Sequence, residues 1–98
     1  MTTKQRAALR SMGTVLEPVL QIGKDGITEE TVKQCWDVLE ARELIKVNVL
    51  RNAPYTAREA CNELCELTHA EPVQVIGSKF VIYRQARKNS KIKLEELC

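Results

Sequence analysis

Aromatic side chains are scarce in this 98-residue chain: one Trp, two Tyr and one Phe make up 4% of it. A sheet that reads nucleobases by stacking displays two or three exposed aromatics. Here Trp36 falls on an apolar helical stripe and Phe80 alternates with Ile82, which leaves Tyr83 alone as a candidate. Histidine is scarcer still. Around His69, the only one, there is no Ser/His/Asp set, paired-carboxylate motif or P-loop, so catalysis is not expected. No apolar run approaches the ~20 residues of a membrane span. The opening MTTKQRAALR also lacks the apolar centre of a signal peptide, and the expectation is a cytoplasmic protein.

Four cysteines (Cys35, Cys61, Cys65 and Cys98) are too few for a secreted disulfide framework in a chain that is 44% hydrophobic. Cys61, Cys65 and His69 are spaced i, i+4, i+8, which brings them toward one helical face. Two readings are open: buried core thiols, or a metal or thiol sensor that still needs a fourth ligand.

What the chain does have is charge in blocks. The formal net charge is only +2, yet its distribution is uneven. Residues 1–13 sum to +3, residues 14–45 to −4, residues 46–58 to +3, residues 59–71 to −4 and residues 72–98 to +4. Such segregation can build a basic face behind a modest net charge. It also allows a second reading, a protein-interaction module that works through the acidic helices.

Periodicity supplies the elements. A first helix is expected from Thr3 to Met12, with Thr2 or Thr3 as N-cap, Gly13 as stop, and Ala8, Leu9 and Met12 inward. EPVLQIG reads as a short strand in which Pro18 suits only the first position or an edge. Thr28 caps a second helix that ends near Arg42, with Val32, Cys35, Trp36 and Leu39 as its apolar stripe. LIKVNVL is a strand with Ile45, Val47 and Val49 on one face. Thr56 and Glu59 form a capping box for a third helix that buries Ala57, Ala60, Cys61, Leu64 and Cys65. VQVIGSKFVIYR is a hairpin whose Gly77-Ser78 turn fits type II′. The order is α-β-α-β-α-β-β: an α+β domain over residues 1–84 with a four-stranded mixed sheet and helices mainly on one side. Residues 85–98 read as a basic tail.

Between the first strand and the second helix lies Gly23-Lys24-Asp25-Gly26. Glycines permit positive φ and keep no Cβ between backbone and ligand. The helix start just beyond presents free N–H groups to an anion, and KH domains clamp a nucleotide backbone with such a GxxG loop. The bland alternative is a tight turn. Asp25, Glu29 and Glu30 also oppose a phosphate in the same turn.

The runs PVLQIGKDGIT, ELIKVNVL and VQVIGSKFVIYR, in this order, resemble the CRM domain (chloroplast RNA splicing and ribosome maturation), in its stand-alone bacterial YhbY form. The resemblance covers Thr3 to about Arg84 and implies a fold similar to the C-terminal domain of translation initiation factor three. It also implies an RNA-binding role, without cofactor, on precursors of the large ribosomal subunit. By position it assigns the GxxG loop to Gly23, Lys24, Asp25 and Gly26. From charge alone, Lys4, Arg6, Arg10, Lys46 and Arg84 are expected to form a supporting basic surface. The stretch RNAPYTAREACNEL departs from the bacterial relatives, so Arg51 and Arg58 receive no role. RNA held by backbone and shape implies little sequence preference and strong salt dependence. The oligomeric expectation is a monomer.

Overall fold

The computed structural model describes residues 2–86. The elements follow the expected order: α1 (Thr3–Thr14), β1 (Pro18–Ile22), α2 (Glu29–Arg42), β2 (Leu44–Val49), α3 (Ala57–Thr68), β3 (Glu71–Ile76) and β4 (Lys79–Tyr83). The strands lie in the order β1-β2-β4-β3. β1 runs parallel to β2 through the α2 crossover, and the β2–β4 and β3–β4 pairs are antiparallel. Pro18 opens an edge strand, where its missing N–H costs no ladder bond. Gly77 has φ +58 and Ser78 has none of the positive φ values, as a type II′ turn requires.

The caps work as local chemistry dictates. The Thr2 hydroxyl accepts from Gln5 N–H while the Gln5 side chain accepts from Thr2 N–H, and Thr56 with Glu59 repeats the arrangement at α3. Removing either threonine hydroxyl would cost about 1 kcal/mol.

The sheet is apolar on both faces, so both must be covered. Leu20, Ile22, Ile45, Val47, Val49, Phe80 and Ile82 pack under α2 and α3 against Cys35, Leu39, Ala60, Cys61 and Leu64. On the other face Leu44, Val73, Val81 and Tyr83 pack against Leu9 of α1. Two helices therefore share one face and α1 takes the other. Tyr83 does turn away from Phe80 and Ile82, but it is buried beneath α1 and displays no stacking surface.

Three local expectations change. α1 continues through Gly13 to Thr14, because the glycine serves close approach and not helix termination. A Cβ there would stand 2.8 Å from Val81 Cγ1. Met12 is partly exposed at 37%. Trp36 is half-buried at the rim of the core, with the Arg84 guanidinium 4.0 Å from its ring and His69 edge-on at 6.4 Å.

Of the sensor trio, Cys61 and Cys65 lie in the core while His69 is an exposed left-handed cap of α3, so the three do not converge. Among the described residues no cluster of metal-ligating side chains forms. Burial raises the Cys35 thiol to about 11, against the opposing pull of Arg84. The hydrogen bond with Cys61, together with burial, raises that of Cys65. Nucleophilic attack needs the thiolate. Cys35 and Cys65 are therefore expected to resist alkylation at pH 7 in the native protein and to react quickly in denaturant. Peptide mass spectrometry after a timed iodoacetamide pulse reads this directly, and rapid native labelling of either cysteine would contradict it.

Candidate nucleic-acid interface

β1 ends at Ile22, and the chain turns through Gly23-Lys24-Asp25-Gly26, closed by Gly26 N–H donating to Gly23 O at 3.0 Å. Lys24 and Asp25 are exposed at the tip. The two glycines do different work. Gly26 has φ +70 and is buried, and a Cβ on it would lie 2.9 Å from Tyr55 Cε2 and 3.2 Å from Pro54 Cγ. Gly23 has ordinary φ, and its Cβ position meets only Leu50 Cδ1 at 3.6 Å. Packing and backbone geometry require a glycine at position 26, whereas nothing in the fold requires one at position 23.

Beyond the loop, the Thr28 hydroxyl accepts from Thr31 N–H at 3.2 Å and starts α2. The first-turn N–H groups of such a helix have no intrahelical partner and carry partial positive charge. Loop and helix entrance together line an open groove of about 610 Å³, whose other walls include Gln21, Gln34 and Asn52. Among the described residues, Lys24 is the cation on this lining, and Asp25 and Glu30 are its acids; Glu29 is not on it. The groove is therefore polar and of mixed charge.

Gln21, on the groove lining, also belongs to the sheet. Gln21 pairs in register with Asn48, Asn48 with Lys79, and Lys79 with Ile76, which makes one row across four strands. α1 covers the outer face of the sheet at Leu44, Val73, Val81 and Tyr83 and leaves the row open, with Gln21, Lys79 and Ile76 exposed. Ser78 Oγ donates to Asn48 Oδ1 at 3.3 Å and ties the hairpin turn to β2.

The expected basic surface is only partly assembled. Lys4 and Arg10 are exposed on α1. Arg6 reaches back to β3, with an Nη2–Glu71 contact of 3.9 Å and a hydrogen bond from Nη1 to Pro72 O. Lys46 is half-buried and donates to Thr14 O at 3.4 Å. Arg84 does not belong to the open surface. Only 9% exposed, it donates to Glu40 Oε1 at 2.6 Å and to Thr68 O at 3.2 Å. Ala86 is also packed, its N–H donating to Glu43 Oε2 at 2.8 Å, so the folded body extends two residues past Arg84. The rest of the expected tail, 87–98, lies outside the described residues. Lys79, left out of the expected basic surface, is exposed on the outer face of the sheet, as its alternation with Val81 beside the hairpin turn signalled.

The family model for the CRS1/YhbY (CRM) domain matches residues 1–84. The chain belongs to this family. Relatives of similar length include a protein of Bacillus subtilis named "probable RNA-binding protein YqeI", 38% identical over 94 residues, covering 96% of this chain and 98% of the relative. A protein of Haemophilus influenzae, named "RNA-binding protein", is 34% identical over 96% of this chain and 94% of its own. Among solved structures, the hypothetical protein SAV1595 of Staphylococcus aureus, described as a candidate RNA binder, superposes with a TM-score of 0.79. It is 48% identical, with 95% of this chain and 97% of that one covered. These relatives bear the names of RNA-binding proteins and not of enzymes. No helix among the described residues is long and apolar enough to cross a membrane.

Proposed function

We propose that this CRM-domain protein binds RNA, and that its target is ribosomal RNA of the large-subunit precursor during assembly in the cytoplasm, where it acts as a monomer. The observation that carries the reading is the exposed loop tip at a helix entrance, opening on a polar groove whose Gln21 pairs in register with Asn48 of the sheet. Gly23 gives the RNA backbone close approach, and Lys24 and the first-turn N–H groups of α2 meet a phosphate. Asp25 and Glu30 keep the strand from settling deeper in the groove and favour a path over the tip toward Asn48 and Lys79. The names of the relatives support RNA as the ligand; the ribosomal target rests on the family resemblance of the sequence motifs.

Lys4 and Arg10, exposed on α1, extend the footprint, and Arg6 adds less because Glu71 already pairs with it. Lys24→Glu, which replaces an attractive charge by a repulsive one, is expected to weaken binding about tenfold at low salt while the melting curve stays unchanged. Fluorescence anisotropy with large-subunit ribosomal RNA fragments, titrated across salt, measures it. Equal affinity for the variant and the parent would remove the loop from the interface.

A further inference from the structure

Where α1 stops covering the outer face of the sheet, a pocket of about 230 Å³ opens among Lys46, Gln74, Ile76, Lys79, Phe80 and Val81; Phe80 is buried in the core under α2 and α3. Register places these side chains together: Lys46 stands opposite Val81, Val81 opposite Gln74, and Lys79 opposite Ile76. Val81 is buried and forms an apolar floor, and Ile76, 53% exposed, forms an apolar wall. Gln74 contributes an amide whose Oε1 is buried with no hydrogen-bond partner, a group with a bond still to make. Lys79 stands exposed at the rim. Lys46 uses one donor on Thr14 O and keeps the rest of its ammonium donors available.

This set of groups does not suit a metal ion, for it offers no carboxylate, thiolate or imidazole. It suits a flat heterocycle on an anionic chain: apolar atoms for the faces of the ring, an amide for its edge, and two cations for the phosphates on either side. A glutamine amide presents donor and acceptor side by side, the pattern that adenine matches through N7 and N6. The terminal torsion of the amide is soft, so Oε1 can turn from its unsatisfied position toward the N6 amino group. We infer that this pocket takes one unpaired adenine of the bound RNA, with Gln74 reading its edge and Lys46 and Lys79 holding the flanking phosphates. The inference rests on the RNA-binding reading and adds to it a single position of base preference. That preference needs no stacking aromatic.

The test uses two short unstructured RNAs, an oligouridine and the same oligomer with one central adenine, measured by anisotropy on the full chain. The adenine oligomer is expected to bind about tenfold tighter. Gln74→Ala should erase that preference, the adenine oligomer losing more affinity than the all-uridine one. Gln74→Glu, similar in size, should move the preference to a central cytosine, whose amino group a carboxylate accepts. Lys79→Ala should weaken both oligomers by the same factor. Thermal melts of each variant confirm that the fold is intact. Equal binding of the two oligomers by the parent protein, or a preference that survives Gln74→Ala, would overturn the pocket and leave RNA binding standing. Failure of the parent to bind any RNA would instead overturn the RNA-binding reading, and the pocket with it.

Discussion

Replacing Arg84 by methionine is expected to destabilise the protein by roughly 3 kcal/mol, the scale measured when one partner of a buried ion pair is removed. Arg84 donates to Glu40 and to the last carbonyl of α3, and it lies 4.0 Å from the Trp36 ring centre. It thus ties the end of β4 to both helices of the inner layer. Methionine fills much of the volume but leaves the Glu40 carboxylate and Thr68 O without their donor. Because the Glu40 side chain is 28% exposed, water recovers part of its solvation, which places the cost at the lower end of the range for buried pairs. In a domain of this size, the loss corresponds to a melting temperature lower by more than about 10 °C. Arg84→Lys should recover only part of it, since one ammonium cannot serve two acceptors and stack on an indole as a planar guanidinium does. Thermal melts followed by Trp36 fluorescence read both the stability and the altered ring environment. A melting point for Arg84→Met close to that of the parent would mean that the cluster contributes little.

The second large effect separates the two glycines of the loop. Gly26→Ala carries two penalties. A Cβ at φ +70 costs about 1–2 kcal/mol, and overpacking against Tyr55 and Pro54 adds about 1–3 kcal/mol. Tyr55 is itself packed against the core, so its ring has little room to swing away; the nearby Glu63 carboxylate raises its phenol above the ordinary pKa. A total near 3 kcal/mol is expected in denaturant unfolding, and Tyr55→Ala in the same chain should return the overpacking part but not the backbone part. Gly23→Ala meets only an ordinary contact with Leu50. Its stability should change by less than about 0.5 kcal/mol, while RNA affinity falls as the added methyl holds the phosphate off. If Gly26→Ala is as stable as Gly23→Ala, the packing role assigned to Gly26 is wrong.

Much of this architecture was legible before any coordinates. Thr28 and Thr56 were recognisable caps, and Thr2 was one of two candidates, because capping is decided within four residues. The strand faces followed from the period-two alternation of Ile45, Val47 and Val49. The hairpin was visible in Gly77-Ser78 because a two-residue turn leaves few alternatives. The loop from Gly23 to Gly26 was visible as a junction, and its position between a strand and a capped helix is the one observed. Its supporting surface was read less well: charge density pointed to Arg84, where the open face carries Lys79.

Sequence alone determined the element types, the caps of α2 and α3, and the apolar face shared by Ile45, Val47 and Val49, because these depend on neighbours a few residues apart. Tertiary structure alone decided which face α1 covers, why Gly13 and Gly26 must lack a side chain, and that Arg84 is internal. Each of those depends on a partner distant in the chain: Val81 for Gly13, Tyr55 for Gly26, and Glu40, 44 residues away, for Arg84. Periodicity shows that an element has an apolar side, but it carries no information about what will lie against it.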